Sequence, residues 1–186
     1  VTSAIQATAI VYRNMTVGIA QEVTANPNLA LNKPVVASEY EAGTSFTGNK
    51  VVDGDRTTRW GTSQHVAADA SVEIDLGSAQ DIKKIMIYFE RSDNAQNILA
   101  YHVELDGTTV YTKTERAKQV ETITFSEVKN AQKVKLVVDN ADGGTINWVN
   151  VGVNEIEVYG NEEVEATLED VVANLTGSTV AADATV

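Results

Sequence analysis

The chain contains no cysteine, which excludes a disulfide framework, a thiolate metal site and a cysteine nucleophile. Basic residues are scarce: 14 Lys and Arg stand against 26 Asp and Glu, for a net charge of −12. Nucleic acids and anionic membranes both draw affinity from cationic side chains, so neither is an expected partner. No uninterrupted apolar run approaches the ~20 residues that a bilayer span requires. No glycine-rich phosphate loop follows any expected strand, which leaves a nucleotide-binding fold unsupported. The opening VTSAIQATAIVYRN has neither a Met start nor a basic n-region, so it is no complete signal peptide and reads as part of something longer. What is present is 186 residues at 43% hydrophobic content, enough for one domain with its own core.

Charge and pattern divide the chain into three. Residues 1–27 form an N-terminal extension or linker with one Arg (Arg13) and one Glu (Glu22). Their alternation suggests extended chain, with a hairpin turning at Arg13-Asn14. Residues 161–186 form an acidic linker carrying six acids and no base. It holds a short expected helix over 168–176, because Leu168, Val171, Val172 and Leu175 share one face. Thr167 can cap it and Gly177 can end it. A helix this short is marginal alone, so its stripe is expected to dock on a junction or a following module.

The middle, 28–160, alternates with period two. Val72, Ile74 and Leu76 alternate with Glu73 and Asp75, and Ile85, Ile87 and Phe89 alternate with Met86 and Tyr88. Tyr101, Val103 and Leu105 continue the pattern, and Asp106-Gly107 then makes a tight turn into Thr109–Thr114. Later runs carry Ile123 and Phe125, then Val134, Leu136 and Val138, then Ile156 and Val158. Many short alternating strands between turn residues predict an all-β, antiparallel sandwich.

Four blocks then become familiar: NLALNKPVVASEYEAG, VVDGDRTTRW, VEIDLG and NEIEVYG. In order and spacing they resemble the F5/8 type C (discoidin-like) domain, and more narrowly the family 32 carbohydrate-binding modules. The likeness covers 28–160. It implies a galactose-binding-domain-like jelly roll of eight strands, with the first and last side by side. It also implies a bacterial, secreted or cell-surface setting and an attached glycoside hydrolase. A monomer is expected.

VVDGDRTTRW is rich in carboxylate, hydroxyl and glycine, the chemistry of a hard cation such as calcium. It is not an EF-hand, since Gln64 stands at the twelfth position counted from Asp53. The resemblance implies a structural Ca2+ held by the Lys50 carbonyl, the Asp53 carboxylate, the Asp55 carbonyl and the Thr58 carbonyl and hydroxyl. Asn154, through its carbonyl, and Glu155, through its carboxylate, complete the set. Trp60 is expected in the core beneath this loop, and Arg59 is expected to pair with a carboxylate such as Glu41.

Sugar recognition needs an aromatic platform and a few oriented polar groups. The loops 39–49, 61–70, 90–98 and 139–150 offer Tyr40, Glu41 and Phe46, then Gln64 and His65, then Arg91, Asn94, Gln96 and Asn97, then Asn147 and Trp148. Arg91 matches the sugar-binding arginine of the resembling family, and its asparagine matches Asn97 or, with a shorter loop, Gln96. Galactose-binding members place a histidine directly after the tryptophan, whereas here Gly61 and Thr62 follow Trp60. An enzyme is not expected. Ser63, His65 and Asp69 share one short loop, which is not triad geometry. Glu73/Asp75 and Glu155/Glu157 are same-strand pairs rather than carboxylates facing across a cleft. The expected function is a non-catalytic carbohydrate-binding module that tethers its enzyme to glycans. The alternative is a protein-binding or adhesion module on the same fold.

Overall fold

The computed structural model describes residues 26–63, 68–90, 97–142 and 150–160, which fall in one compact unit, Asn26–Glu162. The hairpin expected around Arg13-Asn14 and the helix expected over 168–176 lie outside the described residues.

The alternating segments form β1 (Val35–Ala37), β2 (Trp60–Gly61), β3 (Ala70–Phe89), β4 (Asn97–Leu105), β5 (Thr108–Lys113), β6 (Val120–Asp142) and β7 (Gly152–Tyr159). A short 3-10 helix, Gly48–Val52, precedes β2. Every pairing is antiparallel, in the order β2-β7-β3-β6-β4-β5, with β1 beside β3.

Two strands organise the fold. In sequence, Val72–Leu76 and Ile85–Phe89 read as separate strands, yet the structure joins them in the 20 residues of β3. β6 likewise joins two alternating runs, in 23 residues. Both turn a corner together, where their register shifts between Asp75 and Gln80 and again between Ile82 and Lys84. Before the corner, β3 pairs with β1 and with Lys133–Val138 of β6; after it, β3 pairs with Val120–Thr124 and β7. Gly77 sits at the corner with φ +88°, a left-handed conformation that favours glycine. Its amide is taken by Asp75 Oδ1 at 2.8 Å.

The corner folds the antiparallel network back on itself as two layers, the β-sandwich that the alternation predicts. Phe89, at the end of β3, meets Tyr101 of β4 with ring centroids 5.4 Å apart. Between the layers lie Val72, Ile74, Ile85, Ile87, Val103, Leu136, Ile156 and Val158, all buried. Trp60 is fully buried too, and its indole Nε1 donates to the Glu39 carbonyl at 2.8 Å. Among the described residues there are seven strands, where the resemblance implies eight. The first strand, β1, pairs with β3 and not with the last strand, β7. It is the segment before β1 that meets β7, where the Leu29 amide donates to the Val158 carbonyl at 2.7 Å and Asn28 Oδ1 accepts the Val158 amide at 2.9 Å.

The outward face of β7 is not left to solvent. Glu155 and Glu157 point away from Ile156 and Val158, yet both are buried, because the loop after the 3-10 helix lies across them. A register shift against β3, between Tyr88 and Phe89, inserts Asn154 as an extra residue. Bulges of this kind re-aim side chains beside functional loops, and here the Asn154 side chain reaches that loop.

Candidate functional site

Residues Asp53–Arg59 fold around the Asp53 carboxylate. Oδ1 accepts the Asp55 amide at 3.0 Å. Oδ2 accepts the Thr58 hydroxyl at 2.8 Å and the Lys50 ammonium at 3.0 Å. Thr58 Oγ1 also lies 3.1 Å from the Asp55 carbonyl. Burial opposes the charge on Asp53, but these donors outweigh it and hold the carboxyl below the usual range. Gly54 makes the turn possible at φ +78°, where a β-carbon would be strained.

Glu155 closes the loop from the far end of the chain. Its Oε1 accepts the Gly54 amide at 3.2 Å, whereas its Oε2 is buried with no hydrogen-bond partner. Burial pushes this carboxyl up to about 7, against the help of the Gly54 amide, and the negative charge of Asp53 adds to the shift. A fully buried acid with an orphaned oxygen is costly unless a positive charge meets it. The Asp53 carboxylate, the Asp55 carbonyl, the Thr58 hydroxyl and the Glu155 carboxylate are all oxygen donors. That is the set a hard cation takes, not the nitrogen and sulfur set of zinc. Among the described residues no three His, Cys, Asp or Glu side chains gather as a metal cluster, so any cation here would rely on carbonyl and hydroxyl oxygens too. The resemblance assigns backbone carbonyls to Lys50 and Asn154. The structure puts their side chains to work as well: Lys50 on Asp53, and Asn154 Nδ2 donating to the Thr58 carbonyl at 2.7 Å.

A second clamp is absent from the sequence reading. Arg56 donates to Glu157 Oε1 from Nη2 at 2.5 Å and from Nε at 3.2 Å, with its guanidinium 4.1 Å from the Tyr88 ring centroid. The Tyr88 and Tyr159 hydroxyls donate to Glu157 Oε2 at 3.2 and 2.9 Å. Glu157 is therefore fully satisfied, in contrast with Glu155 two residues earlier. Its only sequence signal is an acid repeated on one face of the last strand.

Beside the loop opens a cleft of about 480 Å³, lined by Ser45, Phe46, Lys50, Thr57, Thr58, Arg59, Glu90 and Asn154. Arg59 pairs with Glu90 and lies over the Phe46 ring, 3.9 Å from its centroid. Glu41, the partner expected from sequence, is a more distant negative neighbour of Arg59. Arg59 Nε and Glu90 Oε2 are both buried without a hydrogen-bond partner. A donor and a carboxylate acceptor, over an aromatic ring, are the groups that orient a polyhydroxylated ligand.

The structure brings all six expected cation-site residues together around one loop, and it leaves the expected sugar-site residues mostly undescribed. Tyr40 is half-exposed on the loop after β1. Next to it the Glu41 amide donates to the Gly61 carbonyl at 3.0 Å. Asn97 begins β4. His65, Arg91, Gln96 and Trp148 lie outside the described residues. Phe46 and Glu90 fall in the loops singled out from sequence, but their meeting through Arg59 depends on tertiary packing that no local pattern encodes.

A two-layer antiparallel sandwich with loops gathered around a polar cleft defines a class of binding domains. A family model described as an F5/8 type C, NedA-like, galactose-binding domain matches residues 50–136. Chitosan-binding module 2 of a chitosanase/glucanase from Paenibacillus sp. IK-5, solved with chitotriose, is 30% identical, covering 72% of this chain and 100% of its own, with a TM-score of 0.62. Module 1 of the same enzyme is also 30% identical, covering 72% and 99%, with a TM-score of 0.62. The family 32 module of C. perfringens NanJ, solved with galactose, shares the fold at 23% identity, covering 69% and 93%, with a TM-score of 0.58. No curated protein matches the chain. The chain belongs to the F5/8 type C family, and the solved structures it resembles include carbohydrate-binding modules.

Proposed function

We propose that this chain is a non-catalytic carbohydrate-binding module that holds an attached, secreted or cell-surface glycoside hydrolase on glycans. The observation that carries the reading is the cleft beside the loop, lined by Phe46 and by the partly exposed Arg59–Glu90 pair. Such a cleft gives a sugar the exposed part of a charged pair and the side of an aromatic ring. Arg91, Asn97 or Gln96, His65, Glu41 and an aromatic from Tyr40 or Trp148 would extend it along the neighbouring loops. Weak binding is sufficient, because tethering raises the effective concentration of substrate for the linked enzyme.

Two features favour an amino sugar over galactose. The relatives at 30% identity are chitosan-binding modules. The histidine that would follow Trp60 in galactose binders is replaced by Gly61.

Calcium belongs to the same proposal. The Lys50, Asp55, Thr58 and Asn154 carbonyls, the Thr58 hydroxyl and the Asp53 and Glu155 carboxylates would hold it, and the buried Glu155 Oε2 supports the fit. Its role would be to neutralise Asp53 and Glu155 and pin the loop to β7.

A glycan array containing chitooligosaccharides and galactosides tests the reading, followed by titration of the best hit. Binding with Kd on the order of 10–1000 μM is expected, as few contacts offset a small ligand's lost freedom. A blank array together with a captured protein partner would favour the adhesion alternative.

A further inference from the structure

The Asp53 carboxylate already carries a cation of the protein's own. Lys50 lies three residues earlier in the 3-10 helix, and its ammonium reaches Asp53 Oδ2 at 3.0 Å, the same oxygen that accepts the Thr58 hydroxyl at 2.8 Å. The Lys50 side chain is only 30% exposed and also lines the cleft. A divalent ion bound by Asp53 must therefore sit beside this ammonium or displace it. Among the described residues Glu155, by contrast, receives only the Gly54 amide, and its buried Oε2 has no hydrogen-bond partner.

We propose that Lys50 is an internal competitor that sets the affinity of the loop for divalent cations. The inference rests on reading Asp53–Thr58 and Glu155 as a cation site. It adds that the lysine side chain, rather than the number of oxygens, limits the binding. A 2+ ion and an ammonium a few ångströms apart repel enough to change affinity by about an order of magnitude, even at the dielectric of water. The same ammonium neutralises Asp53 whenever calcium is scarce. Removing it should weaken the protein in chelator and strengthen it in calcium, two effects of opposite sign. The backbone carbonyl of Lys50 is untouched by a side-chain change, so the oxygen set stays whole.

The test uses the full chain, stripped with chelator and titrated with CaCl2 by calorimetry, with melting curves measured in chelator and in calcium. Lys50→Gln and Lys50→Met should each bind Ca2+ about tenfold more tightly than wild type and show a larger calcium-induced rise in Tm. Lys50→Arg, which keeps the positive charge, should bind at the wild-type level or more weakly. If Lys50→Gln and Lys50→Met bind calcium no tighter than wild type, the inference is overturned while the cation site stands. If no form of the protein shows calcium heat or a calcium-dependent Tm, the cation-site reading falls and this inference falls with it. Using both Gln and Met guards against one variant that fails to fold.

Discussion

The Gly54 amide donates to Glu155 Oε1 at 3.2 Å across 101 residues of sequence, and the other oxygen of Glu155 is buried with no partner. This bond joins those of Arg56 to Glu157 and of Asn154 to the Thr58 carbonyl in tying the Asp53 loop to the last strand, yet it leaves half of a carboxylate unsatisfied. A ligand that binds only the folded state stabilises it by about 2.7 kcal/mol at a hundredfold excess over its Kd. Chelator should therefore lower the Tm, and calcium should restore it by several degrees. Asp53→Ala and Glu155→Gln should each abolish the calcium-dependent part. Identical melting curves for wild type with chelator and with calcium, and no metal in elemental analysis, would remove the site.

Much of this arrangement is legible in the sequence, for a physical reason. Strands with one wet face must alternate, so Val72–Leu76, Ile85–Phe89 and Tyr101–Leu105 announce themselves. The Asp-Gly-Asp turn and the distant Glu155 are legible through spacing and resemblance. The shared corner of β3 and β6 is not, because Gly77-Ser78-Ala79-Gln80 has the composition of a turn that ends a strand. Only the paired register with β6 shows that the strand continues. The Arg59–Glu90 and Arg56–Glu157 pairs are likewise silent. Each joins residues far apart in sequence, and charge alone does not say which acid an arginine will choose.

The cleft prediction separates recognition from folding. Glu90→Gln keeps the shape of the side chain and removes the charge facing Arg59. It should weaken binding of chitotriose by about tenfold or more, since hydrogen bonds to charged groups are worth about 1.5–3 kcal/mol. Neutral sugars should be less affected. Circular dichroism would confirm the fold, and calorimetric titration would measure the loss. Equal binding by wild type and variant would place recognition outside this cleft.

Arg91 immediately follows Glu90, and the family resemblance assigns it to the sugar. Arg91→Ala should cost about 1.5–3 kcal/mol of binding and abolish detectable association with a weak ligand. Its Tm should stay close to wild type. Titration of both proteins against the best array hit decides the matter, and equal affinity would mean that the family's arginine has no counterpart at this position.

Residues 28–160 should fold without the two ends. Asn28 supplies the side-chain oxygen that accepts both the Ala30 and Val158 amides, at 3.0 and 2.9 Å, so a fragment beginning there keeps the bonds between first and last segments. It should unfold in one cooperative step and keep the ligand affinity of the full chain. An insoluble fragment, or one with a broad non-cooperative transition, would make the ends integral to the domain.

His102 gives the outer face of β4 a dependence on pH. Its Nδ1 lies 2.8 Å from Asp139 Oδ1 and its Nε2 lies 3.3 Å from Glu104 Oε1. On the neighbouring strands it faces Val137 of β6 and Thr112 of β5, and the nearby Lys135 ammonium is 3.7 Å from Glu104 Oε2. Partial burial disfavours the charged ring, but hydrogen bonds to the two carboxylates outweigh it and raise the imidazolium above its usual 6.5. A group whose pKa is raised by folding binds more protons in the native state. Its contribution is therefore complete below the unfolded pKa and is lost as pH rises through the folded one. Relative to His102→Gln, whose profile lacks this component, the Tm of wild type should fall as pH rises above the ordinary imidazole range. Thermal melts of the two proteins over rising pH, both in chelator so that the Glu155 titration is common to them, measure the difference. Parallel profiles would show that the imidazole gains nothing from Asp139 and Glu104.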